Sequence, residues 1–326
     1  MVTRRSVVQA LAACATARAA GAAQSPVSLT AADVHPRDYP TVAAVGWINE
    51  QLAAEFGGDL KLRQYHSGQL GSEKDTLELA RIGALAITRV HSSVLNNVVP
   101  ATRILSLPYV FDSTGHMRRA FDGAFGREVL AGCERHGLIG LALYDSGSRN
   151  FYNTRHPIEA PSDLHGLKLR VPQSDIFIES VEALGASPTP LAYNAVFSSL
   201  STHLIDGAEN NWPSYYTSRH FEIAPYLSES EHSYAPDVLL MSKRVADSLP
   251  PRQREFLLDA ALRSLPLMRA RWDELVGTAR RTVVDAGVKV SGVDRPAFRN
   301  AVQPLLDRYL HDPEIKRLYD LLRASA

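Results

Sequence analysis

Two arginines and a short amide-rich block carry the chemistry this sequence offers. Arg170 stands near the end of GLKLRVP, Arg149 just past GLIGLALYDS, and Glu209, Asn210, Asn211 and Trp212 follow one another in IDGAENNWPSYY. A guanidinium is a rigid planar fork that meets a carboxylate with two parallel hydrogen bonds, while an asparagine amide both donates and accepts and so suits hydroxyls. Two arginines beside an amide pair fit capture of a small organic acid. Singly, each has a plainer reading, since a lone arginine is usually a surface charge or an ion-pair partner and ENNW can be a turn over a packed aromatic. The combination says more than its members.

These residues need elements to position them. In HGLKLRVPQSD, residues 165–175, Leu167, Leu169 and Val171 alternate with Lys168 and Arg170, the period of a short buried strand. Pro172 ends that strand because it has no N–H to donate. Ser174 or Asp175 then caps a helix with Ile176, Phe177, Val181 and Leu184 on its apolar face. Arg170 therefore falls where a strand hands over to a helix, the rim at which open α/β sheets bind ligands. The same alternation runs upstream: PVSLTAAD, DLKLRQYH, ALAITRV and GLIGLALYDS read as strands, and TVAAVGWINEQLAAEF and EKDTLELARIG as helices. It predicts an α/β fold with mixed, largely parallel sheets. No Gly/Ser linker separates two domains, so two lobes would have to exchange the chain more than once. Further on, LPPRQREFLLDAALRSLPLMRARWDELVGTARRTVVDAG predicts one long helix kinked at Pro266 and long enough to brace two lobes.

Composition sets the outer limits. The 326 residues, 45% hydrophobic, carry 35 Lys and Arg against 35 Asp and Glu, as an ordinary soluble globular chain does. A pI near 7.2 leaves no electrostatic footprint for nucleic acid or an anionic membrane. Residues 1–23 are predicted to be a signal peptide, with MVTRR as its basic start, SVVQALAACATA as its apolar stretch and a cut near Ala22 or Ala23. Arg4 and Arg5 match a twin-arginine export signal in part, and LAAC, ending at Cys14, looks like a lipoprotein cleavage box. The mature chain is expected in the periplasm. Its one remaining cysteine, Cys133, rules out an intramolecular disulfide and reads as a packed small residue. There is no GxSxG elbow, phosphate loop, GxGxxG or HExxH, and the eleven histidines lack metal-ligand spacing. His35, His66 and His91, near strand ends, read as packed or hydrogen-bonded, and neither metal nor cofactor is expected.

Several blocks, in order and spacing, resemble a known family. QYHSGQLGSEKDTLELARIGALAITRV, LSLPYVF, GLKLRVPQSDIFIESVEALGASPTPLAYNAVFSSLSTHLIDGAENN and LLMSKRVADSLPPRQREFL look like the solute receptors of tripartite ATP-independent periplasmic (TRAP) transporters, the DctP-like family, from about residue 25 onward. The resemblance implies a two-lobed periplasmic binding protein with crossing hinge strands and a long lobe-bridging helix. Lobe I would be 25–147 with 234–265 returning to it, and lobe II 148–233 with parts of 266–326. It implies a receptor rather than an enzyme, with a small and a large integral membrane subunit as partners and ion-coupled uptake.

The resemblance also implies roles. The arginine of the GLKxRVP block, Arg170, pairs with the ligand carboxylate; Arg149 is the second arginine, Asn210 the amide of the DGxEN block, and Tyr193 the aromatic after the PTP turn. Glu73 and His91 reach the distal part of the ligand, although some relatives carry an acid where this chain has His91. His35, and with it Tyr39, comes to the same cleft, and Arg89 is either part of the wall or structural. Glu73, His91, Asn210 and Asn211 offer mixed donors and acceptors suited to hydroxyls, with Tyr193 or Trp212 stacking on an apolar ligand face. The expected ligand is therefore a hexuronate such as glucuronate or galacturonate, or a related aldonate. A C4-dicarboxylate or other small carboxylate is the alternative within the class. A secreted sugar-acid hydrolase or lyase using Glu73 and His91 as an acid/base pair, and a receptor serving a sensor kinase, are the alternatives outside it.

Overall fold

Two sheets organise the computed structural model, which describes residues 27–325; the predicted signal segment, with Arg4, Arg5 and Cys14, lies outside them. The first sheet holds β1 (Val27–Ala32), β2 (Leu60–Tyr65), β3 (Ile87–His91), β4 (Leu138–Tyr144) and β10 (Asp237–Ser242), in the order β2-β1-β3-β10-β4. The second holds β5 (Arg149–Asn153), β6 (Lys168–Val171), β7 (Ser187–Pro190), β8 (Gly207–Asn210), β9 (Tyr226–Ser233) and β11 (Lys289–Gly292), in the order β11-β9-β5-β8-β6-β7. Both are mixed. β1 pairs in parallel with β2 and β3, and β6 with β7 and β8, whereas β10 runs antiparallel to β3 and β4, and β5 antiparallel to β8 and β9. The antiparallel pairings arise where the chain passes from one sheet to the other and comes back.

The local sequence explains the elements. β3 and β10 are buried at every position, because helices cover both faces of the sheet, and β10 accordingly carries the unbroken apolar run from Val238 to Met241. The helix Glu73–Ile82 starts with a capping box in which Ser72 and Asp75 satisfy each other's backbone donors, and it stops at Gly83 in a left-handed conformation. Ser174 occupies the N-cap position of the helix Asp175–Ala183 but makes no side-chain capping bond. Cys133 is fully buried in the first lobe's core, and burial pushes its thiol up to about 12.

Four passages join the lobes: residues 145–148 between β4 and β5, residues 234–236 between β9 and β10, residues 310–312 between the helix Arg295–Tyr309 on the second lobe and the helix Pro313–Arg323 on the first, and the helix Leu265–Asp285. That helix has 21 residues, about 32 Å at 1.5 Å per residue. Its Met268 and Trp272 pack in the core of the first lobe, and its Ala279 and Val283 in that of the second. The single kinked helix expected here is instead two, Pro251–Arg263 and Leu265–Asp285, meeting at Ser264. Ser264 is buried and its hydroxyl bonds Ala261 O at 2.6 Å and the Tyr144 hydroxyl at 2.7 Å, which pins the break there. Pro266 then sits in the first turn of the second helix, where a missing N–H costs nothing. In the first passage Gly147 has φ +60°, and a Cβ on it would stand 3.1 Å from the Trp272 ring. Only glycine meets both demands.

Candidate functional site

The strand ends of both sheets open onto one cavity between the lobes. From the first lobe come His35, Glu73, Arg89, His91, Ser93 and Asp237; from the second and the passage leading to it come Ser146, Arg149, Arg170, Pro172, Tyr193, Asn210, Asn211 and Ser214. Contacts cross the cleft around it. The Tyr39 hydroxyl lies 3.1 Å from Ser214 Oγ, and Arg149 Nη1 lies 3.3 Å from His91 Nε2.

Arg170 is the penultimate residue of β6, with only 4% of its surface exposed. Its Nε and Nη2 donate to the carbonyl of Leu191 at 2.9 and 2.7 Å, which fixes the plane of the fork. Among the described residues no carboxylate forms an ion pair with it. Burial accordingly draws its pKa below the usual arginine value, with Glu209 only partly opposing. A buried cation without a matched anion is costly for a free protein. It is also a built acceptor site for an anion.

Arg149, at the start of β5, is matched internally. Its Nε and Nη2 meet both carboxylate oxygens of Glu209, at 2.5 and 2.7 Å, and Nη1 donates to Asn210 Oδ1 at 3.0 Å. Burial works against its charge, but Glu209 outweighs burial and raises its pKa. The Phe177 ring lies 5.3 Å from the guanidinium carbon. Asn210 spends its oxygen on Arg149 and on the backbone N–H of Asn211, so its amide N–H₂ remains for the cavity. Asn211 caps the helix Trp212–Thr217 by accepting from Ser214 N at 2.7 Å and donates to Ser146 Oγ at 3.1 Å.

Across the cavity Arg89, in the middle of β3, is 1% exposed. It donates to Glu73 at 2.6 Å, to Asp237 at 3.1 Å and to Asp33, and it abuts the His35 ring nitrogen. Burial alone would lower its pKa; Asp237, Asp33 and Glu73 together raise it well above the usual value. The same contacts hold Asp33 well below the ordinary carboxylate range despite its burial. Arg89 is thus both cavity wall and buried structural cation. The His35 ring stacks on Tyr39 at 3.8 Å and tilts against Tyr193 at 5.1 Å, while the Tyr193 hydroxyl is bound by Ser218. Tyr39 is 2% exposed and braces this wall without lining the cavity.

Glu73 and His91 do not form an acid/base pair. Glu73 accepts from the backbone N–H of His91 at 3.0 Å rather than from its ring. Burial, then Arg149, Arg89 and Arg170, drive the His91 pKa well below the usual histidine value, so the ring is neutral and Nε2 is placed to accept from Arg149.

Of the ten residues singled out from the sequence, Arg170, Arg149, Asn210, Asn211, Glu73, His91, Tyr193, His35 and Arg89 line the cavity, and Trp212 does not. Trp212 opens its helix with the ring turned into the second lobe's core, under the Arg280 guanidinium at 5.3 Å. Sequence reasoning missed Asp33 and Asp237. Each is a lone acid at the end of an apolar strand, VSLTAAD and DVLLMS, the same signal that marks Arg170.

Among the described residues no helix is long and apolar enough to cross a membrane, and no cluster of His, Cys, Asp and Glu is arranged to hold a metal ion. Residues 31–312 match the family of bacterial extracellular solute-binding proteins, family 7. A solute-binding protein of Chromohalobacter salexigens is 36% identical over 288 residues, covering 88% of this chain and 86% of its own. A TRAP periplasmic solute-binding protein from Xanthobacter autotrophicus, solved with bound β-D-galacturonate, is 46% identical with a TM-score of 0.89, covering 91% of this chain and all of its own. Another from C. salexigens, solved with bound D-glucuronate, is 35% identical with the same TM-score and covers the same shares. A two-lobed α/β frame, strand ends converging on an interlobe cavity and these matches along nearly the whole chain lead to one conclusion: the protein belongs to the DctP family of TRAP solute-binding proteins, which are receptors and not enzymes.

Proposed function

We propose that this receptor captures a hexuronate, galacturonate or glucuronate, with the carboxylate on Arg170 and the hydroxyls on Asn210, Glu73 and their neighbours. The observation that carries the reading is Arg170: a guanidinium 4% exposed, on the cavity, with its fork oriented by Leu191 and no carboxylate of its own. The uronates bound in the similar structures from X. autotrophicus and C. salexigens support the choice of acid. A C4-dicarboxylate would need a second free cation at the far end of the cavity. The arginine there, Arg89, already faces three carboxylates.

Capture proceeds by closure. A ligand that touches both lobes does so only when they are shut, so it shifts the population toward the shut state by the energy of those extra contacts. The closed form is then delivered to a small and a large membrane subunit of a TRAP transporter. The receptor works in the periplasm, exported by residues 1–23. Isothermal titration calorimetry of the mature protein against galacturonate, glucuronate, succinate and malate tests the ligand class. Saturable binding of the uronates alone is the expected result, and binding of only the dicarboxylates would overturn the reading.

A further inference from the structure

We propose that Asp237 reads the hydroxyl end of the ligand: its free carboxylate oxygen accepts a hydrogen bond from a sugar-acid hydroxyl, and its charge excludes acids carrying a second carboxylate at that end. This rests on Arg170 being the carboxylate clamp, and it adds the residue that decides between monoacids and diacids.

The position of Asp237 is set by the returning strand. It is the first residue of β10, aligned with His91 on β3 and with Tyr144 on β4, so the antiparallel insertion delivers it to the cavity rim where the parallel strands end. It is 1% exposed. Its Oδ1 accepts from Arg89 at 3.1 Å, while Oδ2 is buried with no hydrogen-bond partner among the described residues. A buried carboxylate oxygen left unpaired is costly unless something else satisfies it.

No neighbour among the described residues supplies the missing donor, and Arg89 Nε is itself buried without a partner. The one cation on this wall, Arg89, is shared among Asp33, Glu73 and Asp237, which leaves the wall with more negative than positive charge. Asp33 is occupied by Arg89, the His35 backbone and the Thr41 hydroxyl, and one Glu73 oxygen by Arg89 and the His91 backbone. Asp237 Oδ2 is left without a donor and Arg89 Nε without an acceptor, and a ligand hydroxyl can serve as both. Burial, only partly offset by Arg89, also pushes the Asp237 carboxyl up to about 6, as expected of an acid whose compensation is incomplete. A second ligand carboxylate would instead bring like charge to this wall.

Calorimetry at pH 8 on the wild type, Asp237→Asn, Asp237→Ser and Arg170→Ala tests this with three ligands. These are galacturonate, the open-chain monoacid galactonate, and galactarate, which has a second carboxylate where galactonate has CH₂OH. The wild type should prefer galactonate over galactarate by at least about 100-fold, and Asp237→Asn should bind galacturonate about 10- to 100-fold more weakly while narrowing that preference at least about tenfold. Asp237→Ser, which keeps an acceptor without the charge, should lose less galacturonate affinity but narrow the preference as much. Unchanged galacturonate affinity in Asp237→Asn, equal weakening of all three acids, or no measurable binding of either open-chain acid by any of the proteins overturns the proposal. Arg170→Ala separates it from the reading beneath: loss of every acid supports the clamp, and retained galacturonate binding rejects the clamp whatever Asp237 does. Melting of each free variant at or above the wild-type temperature shows that the variants are folded.

Discussion

Arg89 and Arg170 are the same residue type, both nearly fully buried on the same cavity, and they face opposite situations. Arg89 meets three carboxylates; Arg170 meets a backbone carbonyl and no acid. The first is the centre of an internal ion cluster that shapes a wall. The second is half of an ion pair whose other half must come from outside. A guanidinium in a cleft is therefore informative only once its partners are counted.

The contrast can be broken most severely at Arg89. Replacing it with methionine leaves two buried acids and the partly buried Glu73 facing one another, and unfolding by urea should show a loss of about 3–5 kcal/mol. Arg170→Ala should cost about 2–5 kcal/mol of uronate affinity by calorimetry, some 30-fold to several thousandfold, because the bound carboxylate loses its desolvated partner. Unlike Arg89→Met, the corresponding Arg170→Met should leave the free protein at least as stable as the wild type, since it removes an unmatched charge. Equal destabilisation by the two methionines would erase the distinction.

A pH series sharpens it further. The carboxyl of Asp237 titrates near 6 when folded and near 3.8 when unfolded, so between about pH 4 and 6 the folded state holds a proton that the unfolded state does not. Stability from this group is therefore full below pH 4 and is lost as pH climbs to 6, by up to about 3 kcal/mol. Thermal melts across that range should show a smaller decline for Asp237→Asn than for the wild type. Gly147→Ala should cost about 1–2 kcal/mol of stability for its left-handed backbone. At the small end, Trp212→Phe should leave uronate affinity within about twofold, because its ring lies in the core rather than in the cavity.

Much of this frame was legible because it is local. The alternation in GLKLRVP placed Arg170 at a strand end, and proline and the following apolar face placed the helix after it. The break at Ser264 was not legible, since the apolar periodicity runs through it and the hydroxyl that fixes it bonds Tyr144, 120 residues away. Trp212 was misplaced because its neighbours in ENNW do line the cavity, and a strand-to-helix turn rotates successive side chains apart. The partners of Arg89 were hidden for a topological reason. Asp237 is 148 residues distant and comes beside it only through the antiparallel return of β10, whereas the missing partner of Arg170 has no residue to find.

The return of β10 also governs the order in which the molecule can assemble. β4 lies at the edge of its sheet and pairs with β10 alone, so a chain emerging N-terminus first cannot complete its first sheet until residue 237 is out. The second sheet likewise waits for β11, beside β9. Neither lobe is then an early folding unit. Long-range pairings of this kind slow folding, and they keep most of the chain without a finished sheet until nearly three quarters of it has appeared.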